Sequence, residues 1–421
     1  MTTPIPSRRT VLKGAAALSL SGAAGALGTV LAQPHGAALA ATPANGQPAV
    51  QVALTAAEGS RPELAGQGTL ALFNGGLPGP VLRVKKGGTL TVDLANTLRE
   101  SVALSWQGVR LPAGAPALAA VAPGKSASLR LTPPDAGTFW YHATSPTLAR
   151  RALSGALVVE EAGAPAYAFD HLLFIQSFPP ESGVPIFPVN GAISPTFQGP
   201  ASGRARLRLV NATPLFLRLR VRGPACYALA VDGQPVTEPF EFKEGRIVIP
   251  PGGRVDMAAT LDDADASIIE IETTQDPIRL AVVTPVGPAG TPPSGPPAPL
   301  PGNDLPAEIP LKDAVRFELP IGDKAAGPAS IGTIKTGRSV VLTLTNSLDA
   351  PVAVYIAGHP VRLLDNVYDG WRPWWHDTVP VPAKSTARVA FLAGSPGTWP
   401  IVGQRGGDGE VVLSRTYEVM A

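Results

Sequence analysis

The chain has 421 residues, of which 45% are hydrophobic, 6% aromatic and 16% charged; this length allows several domains, and ordinary apolar content with little charge excludes a disordered chain. Its 45 glycines and 47 prolines interrupt it too often for long helices and favour many short strands. The 34 Lys+Arg and 32 Asp+Glu nearly cancel, so no bulk positive field attracts nucleic acid or anionic lipid, and a single cysteine, Cys226, excludes an intramolecular disulfide.

The N-terminal residues read as a leader. Ser7-Arg8-Arg9-Thr10-Val11-Leu12-Lys13 resembles the twin-arginine export motif, a weakly apolar Ala-, Gly- and Ser-rich stretch runs from Gly14 to Ala32, and small residues suited to cleavage follow at Ala38-Leu39-Ala40. A signal peptide is expected over residues 1–40, engaging the twin-arginine translocase and delivering the protein to the periplasm. Without Arg8, Arg9 and Lys13 the charge is 31 basic against 32 acidic residues.

A repeated strand pattern follows. Apolar residues alternate from Val84 to Leu98, return in the same pattern from Ile334 to Leu348, and appear in a shorter copy from Leu207 to Thr213; the strands end in Asn96, Asn346 and Asn211. Alternation of this kind belongs to strands with one buried face. A second element, Pro123-Gly124-Lys125-Ser126 leading to Gly137-Thr138-Phe139-Trp140-Tyr141, recurs as Pro382-Ala383-Lys384-Ser385 leading to Gly397-Thr398-Trp399, with Pro250-Pro251-Gly252-Gly253-Arg254 as the middle counterpart. The chain is therefore expected to be all-β, with three Greek-key sandwiches in tandem over 48–163, 165–283 and 305–421. The eight prolines between Pro285 and Pro301 predict an extended linker over 285–301 of about 50 Å, enough to bring the third unit back onto the first.

Several motifs in order carry a family resemblance: Phe73-Asn74-Gly75, Leu77-Pro78-Gly79-Pro80, Ser105-Trp106-Gln107-Gly108, Gly137 to Thr144, Gly155-Ala156-Leu157-Val158-Val159, Val189-Asn190-Gly191, Val231-Asp232-Gly233, Asp377-Thr378-Val379 and Gly397-Thr398-Trp399. In these the chain resembles the three-domain multicopper oxidases, whose units are cupredoxin-like. The resemblance implies copper held by four His-x-His pairs and a thiolate site. The pair expected around Trp106 reads Ser105 and Gln107, and the pair after Tyr141 keeps only His142, with Thr144 in the second place. The later ligand positions fall on Val352, Tyr355, Ala357, Val402, Gly403, Gln404 and Asp408. The five histidines, His35, His142, His171, His359 and His376, include no His-x-His. The residues thus lead to an expectation of no cofactor, no metal site and no catalytic residues, with the copper positions repacked by uncharged polar groups.

Other candidates are few. Tyr368 to Trp375 gathers Trp371, Trp374 and Trp375 beside Arg372, residue types that dominate binding hot spots, and these tryptophans are taken as a candidate partner surface. The alternating arginines Arg204, Arg206, Arg208, Arg218, Arg220 and Arg222 are expected to face solvent, and Cys226 to be a small buried apolar residue. No Gly-x-Ser-x-Gly elbow, phosphate loop or zinc pattern occurs. In leader, architecture and ligand positions the chain is similar to copper-free relatives of the oxidases, the SufI (FtsP) type, which implies a non-catalytic periplasmic scaffold or stabilising factor with a protein partner such as the division machinery. The alternative is a divergent oxidoreductase that retains some copper through His142 and its neighbours.

Overall fold

The computed structural model describes residues 39–41 and 49–421, apart from 65–67, 112–119, 164, 166, 180–184, 224, 263–265, 323–328 and 366–369. The leader expected over 1–40 lies almost wholly outside the described residues. Among them, regular structure is nearly all β; the exceptions are the short helix Pro146–Arg150 and single 3-10 turns at Pro62–Leu64 and Lys243–Gly245. No helix among the described residues is long and apolar enough to cross a membrane.

The strands form three sandwiches of one topology. In the first, Ala49–Gly59 runs parallel to Thr89–Asn96, which pairs antiparallel with Ser126–Leu131. The facing sheet runs Gly79–Lys85, parallel to Ser154–Glu160, then antiparallel to Gly137–Ala143 and Leu104–Gln107. The second sandwich repeats the order with Asp170–Ile175, Arg204–Asn211, Arg254–Thr260, Ala225–Val231 and Gln234–Glu241 in one sheet. Its other sheet holds Thr196–Pro200, Ile278–Val286, Ser267–Ile271, Leu217–Arg222 and Arg246–Ile249. The third pairs Val315–Ile321, Ser339–Asn346, Ser385–Leu392, Val361–Asp365 and Gly370–His376 against Ala329–Lys335, Val411–Met420, Gly397–Arg405, Val352–Ile356 and Thr378–Val381.

The repeated asparagines explain why the copies end alike. Asn96, Asn211 and Asn346 are all buried, and each Nδ2 donates to the carbonyl four residues on, Glu100, Leu215 or Ala350. Each Oδ1 accepts the N–H two residues on, from Leu98, Thr213 or Leu348. A second bond from Nδ2 reaches a carbonyl across the sandwich: Val121, Ile249 or Val381. One side chain thus satisfies a strand end that would otherwise bury unpaired backbone groups. Each sandwich has its own apolar core, centred on Phe139 and Tyr141, on Leu209 and Met257, and on Phe391 and Tyr417.

The proline-rich stretch is bound along its length. Ser202 Oγ donates to Gly290 O at 2.6 Å, Arg204 holds the carbonyls of Pro293 and Gly295, and Leu300 is buried against Leu229, Ala230 and Ala258. Asn303 then bonds both backbone groups of Ala136 and the side chain of Gln234. The extended run leads to the first sandwich while lying on the second.

Candidate functional site

The three sandwiches meet at a buried guanidinium. Arg254 opens the strand Arg254–Thr260 and is 1% exposed. Its Nη1 donates to Asp377 Oδ1 at 2.8 Å and to Gly252 O at 3.1 Å, Nη2 to Asp377 Oδ2 and to Asp232 O, and Nε to Thr138 O at 3.3 Å. All five donors of the fork are thereby used. Partners come from the first sandwich (Thr138), the second (Asp232, Gly252) and the third (Asp377).

Local geometry sets these groups. Asp232 and Gly233 form the two-residue turn after Ala225–Val231, and both have positive φ, 49° and 78°, as a tight hairpin of primed type requires. That turn aims the Asp232 carboxylate inward, where Oδ1 accepts Arg254 N at 3.0 Å and Oδ2 accepts the N–H groups of Asp377 and Thr378 and Nδ1 of His376. Burial pushes Asp232 up, but the His376 bond and the Arg254 charge outweigh it and hold the group below the ordinary carboxylate range. Asp377 goes the other way: burial, with the Asp232 charge added, raises it despite Arg254. His376 Nε2 accepts Trp374 Nε1 at 3.1 Å, which leaves the ring proton on Nδ1, toward Asp232.

Four positions singled out in the sequence, Gln107, Gly108, Tyr355 and Thr378, join this junction. Gln107 Nε2 donates to Thr378 Oγ1 at 3.1 Å, Thr378 Oγ1 donates to Asp377 Oδ1 at 2.7 Å, and Gly108 N donates to Tyr355 Oη at 3.3 Å. Gly108 is fixed by space as well as by its φ of 82°, since a Cβ there would stand 2.0 Å from Arg254 Nη2. Burial pushes the Tyr355 phenol well up, so it stays protonated at neutral pH. The role of Arg254 was not visible in the sequence, because its partner Asp377 lies 123 residues away; the signal available was an arginine closing the Pro250 to Arg254 repeat element.

His142 lies apart from that network, on Gly137–Ala143 opposite Ser105. Its Nδ1–H donates to Ala143 O at 2.9 Å, its ring lies 4.5 Å from that of Trp140, and burial lowers its pKa. His359, by contrast, is a structural histidine of the third sandwich. His359 is buried, its Nδ1 2.6 Å from Tyr417 Oη and its Nε2 accepting Gly394 N, and burial brings its pKa down to about 4. Cys226 is buried with Sγ 3.0 Å from Met257 Sδ.

Trp374 and Trp375 lie between the second and third sandwiches. Trp374 stacks on Phe240 with centroids 4.7 Å apart and lies beneath Arg372, whereas Trp375 is 6% exposed and packs with Ile309, Val341 and Ala390 under Arg362. The side chain of Trp371 is outside the described residues. Of the arginines expected in solvent, Arg206 and Arg208 are instead buried, which corrects that expectation. Arg206 Nη2 bonds Glu161 at 2.6 Å and Asp256 at 2.7 Å, and Arg208 bonds Asp170 at 2.7 Å and Thr138 at 3.1 Å. Alternation put them on one face, and that face is covered by the first sandwich. Burial opposes the charge of Glu161 and Asp170, but their arginines outweigh it and both pKa values fall.

Comparison with known proteins fits this architecture. Residues 56–163 match the multicopper oxidase family. Copper resistance protein A of Escherichia coli is 33% identical over 190 residues, 42% of this chain and 30% of that protein, so the match spans under a third of that relative's length. The multicopper oxidase MmcO of Mycobacterium tuberculosis is 22% identical over 458 aligned positions, covering 86% of this chain and 89% of its own. A multi-copper oxidase structure from Pseudomonas thermotolerans superposes with a TM-score of 0.76 at 27% identity, covering 88% of this chain and 99% of that one. Sequence and fold thus liken the chain to the multicopper oxidase superfamily, whose structures are built from cupredoxin-like domains.

These relatives overturn the expectation of a cofactor-free protein: proteins named for copper resistance and as multicopper oxidases are similar to it in sequence and fold, so copper is the group this likeness implies. The described residues fit that group at one imidazole. No hydrogen bond to His142 Nε2 occurs among the described residues, while a carbonyl holds Nδ1, the orientation metal-binding histidines adopt. They do not assemble a cluster: among the described residues no three His, Cys, Asp or Glu side chains could hold a metal ion together. At the thiolate-site positions, a Cβ on Gly403 would stand 2.8 Å from Leu413 Cβ and 3.3 Å from Val352 Cγ1, and Asp408 is bound by Arg405.

Proposed function

We propose that the protein is an exported, divergent oxidoreductase of this superfamily that retains some copper binding, with His142 as the protein's imidazole contact, and that it works in the periplasm after twin-arginine export. The observation that carries this reading is the tautomer of His142: Nδ1–H is committed to the Ala143 carbonyl, so the Nε2 lone pair is available for a soft cation at neutral pH. Bound copper would supply one-electron chemistry with a phenol or metal-ion substrate. The chain's own residues orient the imidazole between Trp140 and Ser105 and, at the junction, keep Tyr355 protonated.

The test is copper content after loading the purified mature protein and desalting, with the electron paramagnetic resonance spectrum on the same sample. Retained copper that His142→Ala reduces at least tenfold supports the proposal. Copper that does not survive desalting sinks it and favours the second reading, a non-catalytic scaffold of the SufI (FtsP) type acting on a periplasmic partner such as the division machinery. That reading is favoured by the buried Arg254 fork, which ties three sandwiches into one body beside Gln107 and Tyr355. Partner capture and division phenotypes would then be the measurements.

A further inference from the structure

The outer face of the second sandwich carries more arginine than its carboxylates neutralise. Arg218, Arg220 and Arg222 alternate with buried Leu217, Leu219 and Val221, so their side chains leave one face about 7 Å apart. Across the sheet, Arg246 stands directly opposite Arg220 on one side and Glu270 on the other. Arg222 binds Glu270 at 2.7 Å, and Arg246 binds Glu272 at 2.8 Å and Glu244 as well. Both carboxylates in the cleft are therefore engaged, while Arg218 and Arg220 have no ion-pair partner among the described residues. Arg220 Nε is enclosed and without a hydrogen-bond partner.

Such an arrangement is unfavourable as it stands. Like charges directly opposed across an antiparallel pair repel, and an enclosed donor left unbonded forfeits its hydration. Above these arginines lies a cleft of about 480 Å³, lined as well by Thr273, Thr274 and Gln275 of the neighbouring loop. Thr273 folds that loop, accepting Gln275 N and donating to Asp276 O. Thr274 and Gln275 bring a hydroxyl and an amide to the rim.

We propose that this cleft binds a phosphate-type oxyanion, held by the guanidinium groups of Arg218 and Arg220. The geometry favours it: planar forks side by side present several N–H donors to one tetrahedral anion, and a doubly charged ligand offsets the Arg220–Arg246 repulsion. The same chemistry is offered by free phosphate and by a phospholipid headgroup. This site is separate from the three-domain junction and does not depend on copper.

The experiment uses the full mature chain at low ionic strength, with inorganic phosphate followed by calorimetry and phosphatidylglycerol vesicles followed by co-sedimentation. Phosphate binding that Arg220→Gln and Arg218→Gln each weaken at least tenfold supports the site, provided that Arg130→Gln, the same charge change at an exposed position of the first sandwich, leaves it unaltered. Vesicle binding lost in the same two variants, with free phosphate bound weakly or not at all, supports the site with a lipid headgroup as the source. Binding of neither probe, or equal binding by Arg220→Gln and wild type, overturns it.

Discussion

Two runs of arginine in the middle sandwich look interchangeable in the sequence and are not. Arg204, Arg206 and Arg208 alternate on one strand; Arg218, Arg220 and Arg222 alternate on the next. In the first run Arg206 and Arg208 are 2% and 3% exposed and bound by Glu161, Asp170 and Asp256, whereas Arg218 and Arg222 of the second are exposed. Alternation reports which side of a sheet a residue occupies, but not whether that side meets water or another domain. The covered face needs its charges paired; the open one does not.

That contrast predicts the largest loss at the most enclosed arginine. Arg254→Met leaves Asp232 and Asp377 buried without their counter-charge and should cost about 3–5 kcal/mol, read as the shift in urea unfolding. A loss below about 1 kcal/mol would mean that water reaches the junction and the fork is dispensable. Arg206→Met should cost somewhat less, about 3 kcal/mol, because Arg208 remains 3.3 Å from Asp256. Equal effects of Arg206→Met and of a substitution in the outer run would erase the distinction.

A buried titratable group of the third sandwich sharpens the same point through pH. His359 is held neutral, its pKa brought down from 6.5 to about 4, so only the unfolded chain takes up a proton between those values. Stability is therefore fully present above about pH 6.5 and declines as pH falls toward 4, by about 2 kcal/mol at pH 5. His359→Gln should flatten that slope whatever its effect at neutral pH. An unchanged slope in the variant would assign the acid sensitivity elsewhere. Glu161 and Asp170, whose pKa values are lowered, add a further loss of the inner network's stability only below about pH 4.5, where the unfolded carboxylates begin to protonate.

The fold was legible because it is written locally. Alternation and a recurring terminal asparagine marked three equivalent strands, and Asn96, Asn211 and Asn346 make the same bonds in each sandwich. The junction was legible only in pieces. Gln107, Asp232 and Asp377 stood in recognised motifs and Tyr355 at an expected ligand position, yet nothing local indicates that Arg254 joins Asp377 from another sandwich, or that Glu161 and Asp256 await Arg206. Burial of a charge is decided by domain packing, and single-strand patterns carry no record of it. The same limit hid the loop and neighbouring strands that make a cleft of the outer arginines.

The smallest expected effect lies in that outer run. Arg222 is about half exposed while its partner Glu270 is nearly covered, 51% against 7% at the side chain. Removing Arg222 would ordinarily strand a carboxylate, but Arg220 sits directly across from Glu270 with no competing partner of its own. Arg222→Ala should therefore cost only about 0.5 kcal/mol in low salt, and the difference should fade in high salt as the exposed charges are screened. The double variant Arg220→Gln, Arg222→Ala withdraws that substitute partner and should cost more than the sum of its parts. A loss of about 2 kcal/mol from Arg222→Ala alone, insensitive to salt, would place the outer arginines in the same structural class as the inner ones, and the difference between the two faces would have to be found in something other than burial.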